Sequence, residues 1–193
     1  FCFGDGGAVV GNQKYIDKVS MSRDHGRTDK YVHESLGWNE RLDSLQANVL
    51  NHMITKIDDH NSDRRRVAQV YDVELNTDTM VKNASWCNNV YNQYTVLVDD
   101  RESVINKLKE QGIETGVMWP AGCHAQPVYN SKDDLKHTNY VAGKILSLPC
   151  WPYMTDDEIS YVVEKFKHHD LAGHIILKKG ERSRVATLAA KIL

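Results

Sequence analysis

Gly37-Trp38-Asn39-Glu40-Arg41-Leu42-Asp43-Ser44-Leu45-Gln46-Ala47 puts a Gly-aromatic-Asn turn directly ahead of a strongly periodic segment. Leu42, Leu45, Val49, Leu50, Met53 and Ile57 recur at the three-and-four spacing of an amphipathic helix, so the stretch reads as a helix with its entrance near Asn39. An Asn amide donates to a phosphate oxygen and still accepts from the backbone. An Arg offers a planar fork for carboxylate or phosphate, and a helix N-terminus adds partial positive charge to both. Asn39 and Arg41 are therefore candidate anion-binding residues; the competing reading is that Asn39 caps the helix and Arg41 pairs with Asp43 or Glu40.

Upstream, Gly4-Asp5-Gly6-Gly7 separates Phe1-Cys2-Phe3 from Ala8-Val9-Val10, which predicts two buried strands around a glycine turn. The run matches neither a Walker nor a dinucleotide fingerprint, because no phosphate-binding helix follows at the required spacing. Asn12 is expected to cap a short helix carrying Tyr15, Ile16 and Val19 on one side. From Ser22 to Asn39 no period survives and a long functional loop is expected, with His25 read as a polar anchor ahead of a titrating site residue.

Downstream, a second helix is expected from about Ser62 to Leu75, with Val67, Val70, Tyr71 and Leu75 inward and Arg64-Arg65-Arg66 on a solvated face. The Asn-, Thr-, Asp- and Ser-rich residues 76–89 mark a subdomain boundary. A strand over Val90 to Val98, a helix from Arg101 to Gln111 capped by Asp100 and ended by Gly112, and a strand over Ile113 to Met118 form a compact unit. A helix near Asn139 to Leu146 follows, then the break at Leu148-Pro149. Thr155 and Glu158 form a capping box ahead of a helix holding Ile159, Val162, Val163 and Phe166. Trp119 and His124 sit in a Pro- and Gly-rich loop, where a flat ring and an imidazole suit a sugar or nucleotide; a packed Trp and a surface His is the plainer alternative.

A chain of 193 residues with a formal net charge of -2 argues against nucleic acid or an anionic membrane as the main partner. No apolar run is long enough to cross a bilayer. Cys2, Cys87, Cys123 and Cys150 are spread singly, which fits a reducing cytoplasm and gives no zinc spacing, so no metal site is expected. Cys123 and His124 are adjacent, and neighbours in sequence rarely orient toward each other, which argues against a thiol hydrolase.

Over residues 1 to 167 the chain resembles the DegT/DnrJ/StrS family of nucleotide-sugar aminotransferases. The carriers are Gly4-Asp5-Gly6-Gly7-Ala8-Val9-Val10, Arg23-Asp24-His25-Gly26-Arg27 with Lys30-Tyr31-Val32-His33, Gly37 to Ala47, Tyr91 to Val96, Gly112 to Gly116, His124-Ala125-Gln126-Pro127 and Leu148-Pro149. The resemblance implies an α/β fold, the C-terminal part of a fold-type-I aminotransferase: the end of a large, mostly parallel-sheet domain over 1–75, a small α/β domain over 76–168, and a basic tail of unknown role over 169–193. It implies pyridoxal 5'-phosphate as cofactor, with the Schiff-base lysine expected upstream of Phe1, so that no catalytic residue is assigned within the chain. By the same match Asn39 would reach the cofactor phosphate across a homodimer, and Arg41 would lie near the nucleotide-sugar. Trp119 and His124 are candidate substrate contacts, although the family's usual His-Tyr-Pro is here Met118-Trp119-Pro120. The implied reaction moves an amino group from an amino acid, expected to be glutamate, to a keto-sugar, C3 being preferred over C4. A keto-sugar dehydratase of the same fold and a non-catalytic fragment are the alternatives.

Overall fold

The computed structural model describes residues 4–75, 83–84, 86–129 and 131–170. The chain forms two compact units that part between Asp58 and Asp59. Composition marked a boundary over residues 76–89; packing groups nearly all of the long helix before it with the second unit.

In the first unit, α1 spans Gln13–Ser22 and is capped as expected, Asn12 Oδ1 accepting from the Lys14 amide at 3.1 Å. The expected loop from Ser22 to Asn39 contains a small antiparallel hairpin, β1 (Arg27–Asp29) with β2 (Val32–His33). The next helix, α2, starts later than the sequence suggested and spans Ser44–Ile54, with Asp43 at its N-cap. Asn39 is thus not the cap, and neither it nor Arg41 lies in the first turn of a helix. Neither α1 nor α2 contains a buried residue. The strand expected at Ala8-Val9-Val10 does not form; Val9 and Val10 are 60% and 94% exposed. A strand needs a neighbour to satisfy its backbone donors and acceptors, and none pairs with these residues among those described. Phe1 to Phe3 lie outside the described residues; among the described residues both strand pairs are antiparallel.

The second unit is built on α3 (Ile57–Glu74), β3 (Tyr94–Leu97), α4 (Arg101–Glu110), α5 (Lys136–Lys144), β4 (Ile145–Leu148) and α6 (Asp156–Asp170). Strands β3 and β4 pair antiparallel, Tyr94 opposite Leu148 and Val96 opposite Leu146. Because side chains alternate across a strand, those four share one face, and all four are buried in the core. Val67, Tyr71 and Leu75 of the α3 segment, Leu108 of α4, and Ile159, Val162, Val163 and Phe166 of α6 complete it. On the other face Ser147 is buried under Gly116, with which it exchanges backbone hydrogen bonds of 2.7 and 3.0 Å.

Several terminators were visible in sequence. Asp100 accepts from the Ser103 amide at 3.1 Å, and Gly112, in the left-handed region at φ 74°, closes α4 while Ile113 N–H bonds back to Leu108 O at 2.9 Å. The capping box forms, Thr155 N–H donating to Glu158 Oε2 at 2.7 Å and Glu158 N–H to Thr155 Oγ1 at 3.2 Å. Two expectations fail. Residues Ile113 to Met118 contribute only a single bridge, Gly116 to Ser147, instead of a strand. The partner of β3 is Ile145–Leu148, whose first two residues the sequence had assigned to the end of a helix near Asn139 to Leu146. A short apolar run satisfies either period, and only the ladder decides between them.

The arginine triplet also departs from a solvated face. Arg65 Nε donates to Asn89 O at 3.0 Å, while Arg66 spans Asp63 at 2.8 Å and Asp156 at 2.6 Å and also donates to Met154 O. Asp63 further accepts from the Tyr153 amide, so α3 is tied to the segment that enters α6. Tyr71 donates to Pro149 O and Tyr94 to Asp72 Oδ1, each at 2.8 Å; burial holds both phenols well above their ordinary value, so they stay protonated donors. Among the described residues no helix is long and apolar enough to cross a membrane.

Two outcomes test this core. Leu146→Ala should cost about 2–5 kcal/mol of stability in chemical denaturation, because a fully buried side chain leaves a cavity. Hydrogen bonds from Arg66 and the Tyr153 amide hold Asp63 below its ordinary value of 3.8, so its contribution is complete above that pH and lost as pH falls through the lowered value. Asp63→Asn should therefore be less stable at neutral pH and show a shallower loss in acid, read as melting temperature against pH.

Candidate functional site

The residues singled out by the sequence fall in two places, one in each unit, and each is described by itself. In the first unit the site is a folded-back loop. After α1 the Met21 carbonyl accepts from the amides of Asp24 at 3.2 Å and Gly26 at 2.9 Å. His25 and Gly26 both take left-handed backbone, at φ 59° and 68°. A Cβ on Gly26 would stand 1.8 Å from the Ser35 carbonyl oxygen, so glycine is required there. Gly37 meets the same crowding from the other side, since its Cβ would lie 2.1 Å from Gly26 N and 2.6 Å from Ser22 O. This close approach lets three main-chain hydrogen bonds form, Trp38 N–H to Ser22 O, His25 N–H to Trp38 O and Glu40 N–H to Arg23 O, each at 2.8 Å. Asp24 and Asn39 stand opposite each other in that bridge.

His25 serves as an anchor through its backbone. Its amide donates to Trp38, and its carbonyl accepts from His33 Nδ1 at 2.9 Å, which requires the proton on that nitrogen. Asp24 is the residue that sequence reasoning did not single out as a site group. Its Oδ2 accepts from Arg27 Nε at 2.8 Å and lies 2.7 Å from Arg27 Nη2. Its Oδ1 is buried, accepts no hydrogen bond among the described residues, and lies 3.9 Å from Arg41 Nε. The i,i+3 spacing of Asp24 and Arg27 was a legible signal for the first pair; nothing in sequence announced the second.

Arg41 Nε donates to Asn39 Oδ1 at 3.0 Å. Asn39 Nδ2 and both terminal nitrogens of Arg41 make no hydrogen bond among the described residues. The arrangement therefore offers donors and positive charge without a competing acceptor at the amide nitrogen, which is the chemistry of an oxyanion site. The structure thus pairs Asn39 with Arg41 through their side chains, beside the Asp24–Asn39 main-chain bridge and outside any helix entrance.

In the second unit, Trp119 is 74% exposed and joined to Met118 by a cis peptide bond. His124 lies in a 3-10 turn, Cys123–Ala125. Its Nδ1 is buried without a hydrogen bond among the described residues, and its Nδ1–Cε1 edge faces Gly122, where an added Cβ would lie 2.6 and 2.7 Å from those atoms. Gly122 is what lets the ring sit there. No hydrogen bond links Trp119 to His124.

Compared with known proteins, residues 1–167 match the model of the DegT/DnrJ/EryC1/StrS aminotransferase family. The chain belongs to that family. It is 35% identical over 173 residues to a pleiotropic regulatory protein of Geobacillus stearothermophilus, covering 84% of this chain and 46% of that one. It is 34% identical over 165 residues to the UDP-2-acetamido-2-deoxy-3-oxo-D-glucuronate aminotransferase of Pseudomonas aeruginosa, covering 83% and 46%. Among solved structures, DesV of S. venezuelae in complex with a ketimine intermediate aligns with a TM-score of 0.82 at 29% identity, covering 91% of this chain and 49% of that one. The fold is that of the matching part of these aminotransferases. The chain spans about half the length of the curated relatives it matches.

Gly37→Ala should destabilise the loop by about 1–3 kcal/mol, because the methyl would meet backbone that cannot swing aside. Gly11→Ala, with nothing within 4 Å of the added carbon, is the control and should leave the melting temperature unchanged.

Proposed function

We propose that this chain is the C-terminal part of a pyridoxal 5'-phosphate-dependent aminotransferase that moves an amino group from an amino acid, glutamate in the simplest case, to a nucleotide-linked keto-sugar. The observation that carries the proposal is the Asn39–Arg41 side-chain pair, with Asn39 registered to Asp24 by a main-chain bridge and its amide donors uncommitted among the described residues, within a chain of this family. Those residues fit the cofactor's phosphate, since Asn39 Nδ2 and the Arg41 guanidinium can only donate. When bound, the cofactor supplies the electron sink that makes amino transfer possible. Asn39 would fix the phosphate, and Arg41 would add positive charge beside it and toward the nucleotide-sugar. Trp119 would offer an exposed face to the sugar or base, and His124 would hold the loop around it.

The names of two relatives, the glucuronate aminotransferase above and a UDP-N-acetyl-3-dehydro-alpha-D-glucosamine 3-aminotransferase of Acidithiobacillus ferrooxidans at 29% identity, favour amination at C3. In this reading residues 1–75 end a large cofactor-binding domain, α3 leads into the small domain over 76–168, and the protein works as a cytoplasmic homodimer with shared sites. The three cysteines among the described residues, Cys87, Cys123 and Cys150, are free, which agrees with the compartment. The exposed Val9 and Val10, and an α2 with nothing buried, agree with faces that the rest of such a protein would cover.

The complete protein carrying this chain tests the proposal. A lysine shortly before Phe1 in the coding sequence, and a visible absorption band with pyridoxal phosphate that borohydride abolishes, are the expected results. A histidine in that place would point to the dehydratase chemistry of the same fold, and absence of any preceding domain would overturn the enzymatic reading.

A further inference from the structure

Asn39 has one side-chain acceptor, and Arg41 occupies it, Nε donating to Oδ1 at 3.0 Å. A guanidinium only donates, so the amide cannot reverse: turning Nδ2 toward Arg41 would set donor against donor. With Oδ1 held by Arg41, Nδ2 occupies the other edge of the amide, and it makes no hydrogen bond to the guanidinium. Arg41 is itself located by charge, its Nε lying 3.9 Å from the buried Asp24 Oδ1. Asp24 is held in turn by Arg27 through its other oxygen, at 2.8 and 2.7 Å. Asp24 and Asn39 are also registered by the backbone bridge, so both ends of this side-chain relay share one rigid frame.

We infer that Arg41 is a positioning residue for Asn39, and that the Asp24–Arg41–Asn39 relay presents the amide to a phosphate group as a fixed two-proton donor. An unrestrained amide can turn either edge outward, and only its nitrogen edge suits a phosphate. Arg41 removes that ambiguity. This rests on the function proposed above, with the phosphate that of the cofactor, and it puts the main effect of Arg41 on cofactor binding rather than on the sugar. The side chain of Arg41 is half exposed, at 53%, so its direct attraction for an anion is screened, whereas its geometric hold on Asn39 is not.

The test is titration of the complete protein carrying this chain, stripped of cofactor, with pyridoxal 5'-phosphate and separately with pyridoxal, which lacks the phosphate. Arg41→Ala and Asn39→Ala should each raise the Kd for the phosphorylated ligand about tenfold, the weight of one hydrogen bond to a charged group. The double variant should bind no more weakly than the weaker single variant, since the two residues act as one. Pyridoxal affinity and melting temperature should be unchanged, Arg41→Lys should recover part of the loss, and Asp24→Asn should reproduce a milder form of it. Additive losses, or Arg41→Ala raising only the KM for the keto-sugar, would overturn the inference and leave the proposed function standing. Equal losses for both ligands would mean general disruption and would overturn it as well. Failure of the unsubstituted protein to bind pyridoxal phosphate would remove both, and is visible before any variant is made.

Discussion

Three main-chain hydrogen bonds between residues 22–25 and 38–40 organise the first unit, because apolar burial does not. Its two helices bury no residue, and Leu36, Trp38 and Leu45 stand largely in solvent. What shapes the unit is backbone closure, and closure depends on two glycines meeting where side chains cannot fit. From it follow the hairpin, the opposition of Asp24 and Asn39, and the reach of Arg41 to the Asn39 amide. The proposed anion site would have its frame set by the main chain before a ligand arrives, which would limit the ordering that binding must impose.

The second unit follows the opposite logic. Its strands are only four residues each, too short to hold alone, and they are stabilised by the apolar faces of α3, α4 and α6 closing over Tyr94, Val96, Leu146 and Leu148. Polar ties then set the angles at which elements enter: Arg66 bridges α3 to the start of α6, and Tyr71 holds the Pro149 carbonyl. The Tyr71 hydroxyl would be costly if left without a partner in its buried setting, whereas Arg66 and Asp156 meet at the surface and contribute mainly to geometry.

Capping and core positions were legible from sequence because they are local or periodic. Asn12, Asp100, Gly112 and the Thr155–Glu158 box need only their own helix, and Val67, Tyr71, Ile159 and Phe166 repeat at helical spacing. Apart from the late start of α2, the failures were long-range. Val9 and Val10 look like a strand but lack a partner, Ile145–Leu148 looks like a helix end but finds β3, and Arg65 and Arg66 look solvated but reach Asn89 and Asp156.

The same division runs through the candidate site. Sequence alone determined the residue types, an amide and a guanidinium two positions apart behind a Gly-Trp turn, together with the family that their order implies. Only the tertiary structure decided that they do not cap a helix and that Asp24, fifteen positions before Asn39, stands opposite Asn39 with its Oδ1 3.9 Å from Arg41 Nε. The reason is physical: donor and acceptor chemistry is a property of single residues, whereas which donor faces which acceptor is set by a chain reversal that no local pattern encodes.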